Sequence, residues 1–501
     1  MPARTGAQYV EGLERARTVY EIGGERLRGG VHEHPAFRNV VRTYAALFDL
    51  QHDPALSDTM TYESPTTGER VSTSFLQPTT HDDLARRREM MQVWAEWSMG
   101  MLGRTGDYLN SGVQAMAAAA GFFAQADSRF GENVVAYYEH VRENDLLLTH
   151  TLVHPQANRS LRTHQQADPY LAACVVRETD NGVIVRGARL LATIGPFADE
   201  LLVFPSTVVK ATAEDAPYAF AFAIPCDTPG LRFLCRETMD QGKSPFDHPL
   251  GSRFEEIDAV VVFDDVEIPF ERCFILGEPE LCNQLYVETR SANFMTHQVV
   301  TRTIAKTEFF LGLVSLMTDA IQVETFQHVQ EKLAEIVVTL ESVRALRRAA
   351  EADAELSRWG LMTPAWTPLN TARNLYPKLY QRLPEIVRQL GASGLMAIPG
   401  EADVAGPARG EVERYLQCAT LDGAERVRLF RLAWDSAISS FAGRQELYEY
   451  FFFGDPVRMA GALVQGYDRA PYVARVREFL RRDPSPVDAL AAPAETVAAG
   501  A

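Results

Sequence analysis

An arginine and a tyrosine stand four positions apart in the stretch MLGRTGDYLN, residues 101–110, as Arg104 and Tyr108. If the stretch is helical, the two lie one turn apart on one face. A permanent cation there can hold a small anionic ligand, with a phenol beside it. Gly103 and Gly106 weaken a helix and permit close approach by another group. The competing explanation is a buried arginine paired with Asp107 or Glu96, with Tyr108 as packing.

A second cluster lies in NDLLLTHTLVHPQANRS, residues 144–160. His150 can serve as acid, base or donor near neutrality. Gln156, Asn158 and Arg159 on a loop after a helix suit an extended polar ligand with carbonyls and phosphates, or else form an ordinary polar connection. A third lies in RGARLLATIGPFADELLVFPST, residues 186–207. Thr193 ends a strand-like run before Gly195-Pro196, where its hydroxyl can face a planar ligand, although threonine is also a common strand residue. Ser206 and Thr207 offer hydroxyls and backbone N–H groups to a carboxylate. In FFFGDPVRM, residues 451–459, the break Gly454-Asp455-Pro456-Val457 places backbone amides at a surface. In QLGASGLMAIPG, residues 389–400, glycines allow a close approach to phosphate or a plain helix–loop join.

Composition narrows the chemistry. The formal charge of −17 argues against a nucleic-acid partner but leaves room for one anion at a local arginine. Six cysteines are scattered without a CxxC pair, and no HExxH occurs. Free thiols in a reducing cytoplasm are therefore expected, with no metal site. GxGxxG, GxxxxGK[ST] and GxSxG are all absent, so neither a nicotinamide fold, a P-loop nor a serine elbow is expected. No apolar run reaches membrane-spanning length, and MPARTGAQYVEGLERARTVYE reads as a capped helix rather than a leader.

Three zones must position these residues. Residues 1–148 read as helical. Thr80-x-x-Asp83 forms a capping box ahead of Leu84, Met91, Trp94, Met101 and Leu102 at helical spacing. Residues 149–277 read as short strands, with DNG at positions 180–182 as a hairpin turn, and are expected to form a β-barrel domain. Residues 278–482 return to helical periodicity, with Phe326, Val329, Leu333, Ile336, Leu340 and Val343 on one face. RVRLFRLAWDSAISSFAGRQELYEYFFF reads as one long helix, and residues 483–501 as a flexible tail.

The junction FDDVEIPFERCFILG resembles that of the acyl-CoA dehydrogenase fold: helical domain, β-barrel, four-helix bundle. Over residues 3 to about 480 the chain more closely resembles the oxygenase (large) component of the two-component FAD-dependent aromatic hydroxylases, the 4-hydroxyphenylacetate 3-monooxygenase family. The stretches carrying this are RTYAALFDLQHDP, MLGRTGDYLN, HPQANRS, GARLLAT, FPST, SPFDHPL, HVQEKLAEIVV, ARNLYPKLY, GASGLMAIP, LFRLAWD and RQELYEYFFFGDPVRM. IGPFADE is one residue longer than the form associated with that family's nearest members.

The resemblance implies an α+β fold and an enzyme that hydroxylates a para-substituted phenol ortho to its oxygen through a flavin C4a-hydroperoxide. It implies that Arg104, Tyr108 and His150 surround the phenolic hydroxyl and that Ser206 and Thr207 hold the substrate carboxylate. It assigns Gln156, Ala157, Asn158, Arg159, Thr193, Gly454, Asp455, Pro456 and Val457 to the flavin, with His150 touching both. It further implies FAD as a reduced cosubstrate, O2, a separate NAD(P)H-flavin reductase and a homotetramer; charge and hydropathy give neither nucleic acid nor membrane as a partner. The alternatives are another phenol as substrate, an acyl-CoA dehydrogenase or flavin–iron-sulfur dehydratase on the same fold, and a non-catalytic scaffold. The dehydratase would need a cysteine cluster, which MGMLGRTGDYLN lacks.

Overall fold

A computed structural model describes residues 3–15, 17–20, 26–27, 30–155, 157–205, 212–240, 242–452 and 454–482. Gln156, Ser206, Thr207 and the tail at 483–501 lie outside these. The chain divides into two compact units, residues 1–452 and 453–501.

In the first unit the N-terminal third is helical: α1 (Arg38–Asp49), α2 (His81–Trp97), α3 (Gly106–Ala118) and α4 (Ser128–Glu143). Helix α2 starts as its sequence dictates. The Thr80 hydroxyl accepts from the Asp83 N–H, and the Asp83 carboxylate reaches back to the cap backbone. It stops at Trp97, however, so Met101 and Leu102 are not on it. Met99 and Gly100 take left-handed backbone (φ 53° and 66°), which no helix continues through.

The middle segment supplies eight of the thirteen strands among the described residues. They are β2 (Leu148–Thr151), β3 (Cys174–Glu178), β4 (Gly182–Thr193), β5 (Glu200–Val203), β6 (Phe220–Pro225), β7 (Leu231–Cys235), β8 (Asp258–Pro269) and β9 (Cys273–Leu276). A short β1 (Val19–Tyr20) joins them from the N-terminal segment. The DNG turn does link an antiparallel pair, β3 and β4.

Among the described residues the strands form two open sheets, not a closed barrel. One has the order β1-β7-β8-β4-β3 and the other β9-β6-β5-β2. The reason lies where β2 meets β4. The Thr149 and Thr151 hydroxyls donate to the Thr193 and Leu190 carbonyls (2.5 and 2.8 Å), and one backbone bond joins Leu190 to Val153. Side chains thus do the joining that a ladder would do in a barrel.

The longer C-terminal helices of this unit are α5 (Pro279–Glu288), α6 (Ser291–Ala320), α7 (Gln327–Ala352), α8 (Trp366–Tyr380), α9 (Arg382–Gly391), α10 (Gly423–Ala437) and α11 (Ser440–Phe451). Helix α6 is the hub, packed against α2, α3, α7, α8 and α9, and is buried on nearly every side over residues 293–307. Its buried polar stripe includes His297, Gln298, Arg302 and Lys306. The long helix expected from RVRLFRLAWDSAISSFAGRQELYEYFFF is two helices, because Ser439 accepts from the Ala442 N–H and caps a new start.

The second unit holds α12 (Pro456–Gly466) and α13 (Ala470–Arg482). Among the described residues no helix is long and apolar enough to cross a membrane.

Candidate active site

Arg104 lies outside any helix, because α3 begins two residues later with Thr105 at its N-cap. It belongs to the turn that leaves α2. Gly100 lets that turn press on α6, where a Cβ would fall 2.6 Å from the Lys306 backbone nitrogen. Side chains then fix the turn by its backbone. Arg302 donates to the Gly100 carbonyl (2.9 Å), Gln445 to that of Met101 (3.0 Å) and Tyr44 to that of Arg104 (3.1 Å). The Glu256 carboxylate accepts from the N–H groups of both Gly103 (2.8 Å) and Arg104 (2.6 Å).

The Arg104 side chain is buried without a carboxylate partner among the described residues. Nη1 donates to the Gly103 carbonyl (3.1 Å) and the Tyr448 hydroxyl (2.7 Å), while Nε has no hydrogen-bond partner among the described residues. The guanidinium lies over aromatic faces instead, 4.5 Å from the Tyr108 centroid and 4.6 Å from that of Phe452. The ion pair considered with Asp107 or Glu96 does not form. Asp107 is taken by the Thr105 hydroxyl (2.5 Å) and the Gln298 amide (3.2 Å), and Glu96 accepts from Gln92 (2.5 Å).

Tyr108 sits in the first turn of α3, its ring 5.9 Å from that of His150 on β2. Phe204 flanks His150 on another side at 6.2 Å and in turn meets Tyr286 at 6.0 Å. Burial, reinforced by the Arg104 cation, pushes the His150 pKa well below the usual histidine value. The imidazole is therefore neutral rather than poised near neutrality, and its Nδ1 has no hydrogen-bond partner among the described residues. Burial also raises the Tyr108 phenol, against the pull of Arg104.

Neutral His150 has a stability consequence. Below about pH 6.5 the unfolded chain takes up a proton that the folded site refuses. Stability should then fall with pH by up to about 1.4 kcal/mol per unit from this group. His150→Asn should flatten that loss, read as a smaller difference between urea midpoints at pH 5.5 and 7.5. An unchanged difference would contradict the assignment.

Thr193 closes β4, where its Cα pairs with that of Asp258 and its hydroxyl donates to the Asp258 carboxylate (2.8 Å). Burial alone would raise Asp258, but the Arg444 and Arg236 cations hold it well below the usual carboxylate range. The structure thus brings Arg104, Tyr108 and His150 together and ties Thr193 to β2 through Thr149, the neighbour of His150. Ala157, Asn158 and Arg159 lie on an exposed loop. Asn158 accepts from the Ser160 N–H (3.1 Å) and hydroxyl (2.7 Å). Gly454, Asp455, Pro456 and Val457 open the second unit, where the Asp455 carboxylate caps α12 by accepting from the Val457 and Arg458 N–H groups (2.9 and 3.0 Å). The glycines of QLGASGLMAIPG serve packing: Gly391 abuts Leu395, and Gly394 abuts Phe430.

Tyr448, Phe452, Glu256, Asp258 and Arg444 escape the sequence reading. The signal was present for three of them, since Arg444, Tyr448 and Phe452 recur every four residues along one face. Gly103 is empty of side chain for Tyr448, not for a ligand: a Cβ there would fall 1.9 Å from the Tyr448 hydroxyl. Gly103→Ala should therefore cost about 1–3 kcal/mol through overpacking. A urea unfolding curve superposable on that of the unaltered chain would contradict this. An open cleft of about 1320 Å³, lined by residues including Arg38, Trp97, Lys243, Arg253 and Leu316, shares none of the aromatic-site side chains.

Two family models cover almost the whole chain: 4-hydroxyphenylacetate 3-hydroxylase N terminal over residues 5–275, and C terminal over residues 282–481. The chain belongs to this family. A 4-hydroxyphenylacetate 3-monooxygenase oxygenase component of Geobacillus sp. (strain PA-9) is 52% identical over 482 residues, covering 96% of this chain and 97% of that protein. Another member, the oxygenase component HpaB of 4-hydroxyphenylacetate 3-monooxygenase solved with FAD and 4-hydroxyphenylacetate, superposes with a TM-score of 0.91 at 50% identity, over 96% of this chain and 98% of that one. Outside the 4-hydroxyphenylacetate 3-hydroxylases, an archaeal 4-hydroxybutyryl-CoA dehydratase from N. maritimus shares the fold, with a TM-score of 0.86 at 19% identity over 97% of this chain and 96% of that one.

Proposed function

We propose that the chain is the oxygenase component of a two-component hydroxylase. It converts 4-hydroxyphenylacetate to 3,4-dihydroxyphenylacetate, with reduced FAD as cosubstrate and O2 as oxidant. The observation that carries this reading is the state of Arg104: a buried cation lying on aromatic faces, with no carboxylate partner among the described residues and an unpartnered Nε. A buried charge left in that condition is costly unless an anion completes it.

Free phenol ionises near pH 10, and its anion is far more nucleophilic at the ortho carbon. The Arg104 guanidinium favours that anion at the phenolic oxygen. Neutral His150 adds one N–H donor, and Tyr108 fixes orientation. Phe204, Tyr286 and Phe452 wall the site with aromatic surface and help exclude water. Ser206 and Thr207 would hold the carboxylate.

Thr193, the loop from Gln156 to Arg159, and Gly454–Val457 would hold FAD. The donor chemistry of the described residues fits. Arg159 is exposed and makes no ion pair among the described residues, Asn158 keeps its amide N–H groups unengaged there, and the Thr193 oxygen retains lone pairs. Bound reduced FAD supplies the activation of O2. A separate NAD(P)H-flavin reductase supplies the reduced FAD.

The layout supports an acyl-CoA dehydrogenase-like arrangement of three parts, 1–148, 149–277 and 278–482, the middle one barrel-like although its sheets stay open. We also infer a homotetramer, supported by exposed Leu316, Val338 and Leu447 on the helices, and cytoplasmic residence, supported by six free thiols. The test is oxygen uptake and product identity with FAD, a reductase, NADH and phenols bearing different para chains. A catechol from 4-hydroxyphenylacetate is expected. No catechol from any phenol would refute the reading, and a preferred phenol lacking the acid chain would move the substrate assignment.

A further inference from the structure

Two carboxylates, buried Glu256 and partly buried Asp258, flank Ile257 at the start of β8. Their lone pairs go to the two ends of the proposed site. Glu256 Oε1 accepts from the Arg104 N–H (2.6 Å) and shares the single Tyr44 O–H proton (3.2 Å) with the Arg104 carbonyl. Its Oε2 accepts from the Gly103 N–H (2.8 Å) and from Arg444 Nη1 (3.3 Å). Asp258 Oδ1 accepts from the Thr193 hydroxyl (2.8 Å) and Arg444 Nη2 (3.0 Å). Its Oδ2 accepts from Arg444 Nε (3.2 Å) and Arg236 Nε (3.0 Å).

One guanidinium on α11 therefore spans both carboxylates, with Nη1 on one and the Nε–Nη2 edge on the other. Arg444 also reaches Arg104 by a second route. Its guanidinium lies 4.7 Å from the Tyr448 ring centroid, and the Tyr448 hydroxyl accepts from Arg104 Nη1 (2.7 Å).

We propose that Arg444 is a positioning residue for oxygen transfer: by gripping Glu256 and Asp258 together, it sets the spacing between the Arg104 cation and the Thr193 hydroxyl. This rests on the reading above, in which Arg104 meets the phenol and Thr193 meets the flavin. The spacing matters because the acceptor carbon must sit in line with the activated oxygen, and a misplacement of about 1 Å costs on the order of a hundredfold in rate. Arginine is required for the span. A planar fork presents donors in several directions at once, whereas an ammonium is a single point on a flexible stem. The shared grip also explains the placement of the acids on alternate residues entering one strand. Glu256 controls a backbone turn, and Asp258 controls a hydroxyl across the strand pair.

The test uses the full chain with reductase, NADH, FAD and 4-hydroxyphenylacetate. Catechol formed per O2 consumed, KM for the phenol, and Tm are measured for Arg444→Lys, Glu256→Gln and Asp258→Asn. Arg444→Lys should lower catechol per oxygen at least threefold while oxygen consumption from reduced FAD persists. Glu256→Gln should act mainly on KM, raising it at least threefold, and Asp258→Asn mainly on catechol per oxygen. If Arg444→Lys does not fold, the split between the other two variants decides. Variants that shift only Tm, with KM and coupling within twofold of the unaltered enzyme, would reduce Arg444 to a structural tie and overturn the proposal. If the unaltered chain makes no catechol from any phenol, the functional reading falls and this assignment falls with it. If it does and the variants are unaffected, only this assignment falls.

Discussion

Arg104→Ala should abolish most catechol formation while oxygen consumption from reduced FAD continues as hydrogen peroxide. The loss expected is on the order of a hundredfold or more, the scale seen when one donor to a developing oxyanion is removed. The variant should still fold, because the turn is held through its backbone by Glu256, Arg302, Gln445 and Tyr44, none of which grips the Arg104 side chain. Tyr448 loses a hydrogen bond, and the Tyr108 and Phe452 rings lose the cation lying on them. Arg104→Lys keeps the charge and loses the planar fork, so it should fall between the two. Chromatography of the product against oxygen uptake separates the outcomes. An unchanged catechol yield in Arg104→Ala would remove the phenol-binding role.

Glu449→Leu should be the most destabilising single change in the first unit. Its carboxylate lies between Arg302 (2.6 and 3.0 Å) and Lys306 (2.5 Å), all three side chains at most 2% exposed. Removing it strands two buried cations. Burial already draws Lys306 down to about 8, so that lysine can shed its proton, but Arg302 cannot. A loss of roughly 3–5 kcal/mol is expected from urea unfolding. Catechol yield should drop as well, because Arg302 holds the Gly100 carbonyl in the turn that bears Arg104. Replacing all three with apolar residues should recover much of the stability, since a well-packed apolar trio avoids the desolvation cost. A loss below 1 kcal/mol in Glu449→Leu would show that the buried trio contributes little.

Local rules wrote much of the architecture into the chain. Thr80 and Asp83 cap α2, Asp180-Asn181-Gly182 turns the β3–β4 pair, and the stripe at Val329, Ile336, Leu340 and Val343 is buried in α7. Three features depended on distant partners and were not legible. The sheets stay open because, among the described residues, one backbone bond, Leu190 to Val153, joins the β2 segment to β4 beside the Thr149 and Thr151 hydroxyls. The helix through 423–451 breaks because Ser439 finds the Ala442 amide. Arg104 lacks an acid because Asp107, three residues away, is claimed by Thr105 and Gln298. Arg104, Tyr108 and His150 could be picked out by residue type. Glu256 and Asp258 could not, since the contacts that tie them to the site, the Arg104 turn and Thr193, come from more than sixty residues away in sequence.

Glu256 takes hold of peptide N–H groups, and this separates two things that most binding sites confound. The contour of the turn is encoded at position 256, and the chemistry it presents is encoded at position 104. A library of side chains at 104 would therefore sample different charges and hydrogen-bonding patterns on a constant scaffold. An acceptor in place of the cation would offer the same turn to a substrate whose reacting edge is protonated, so new specificity could be reached at this position without first rebuilding the backbone.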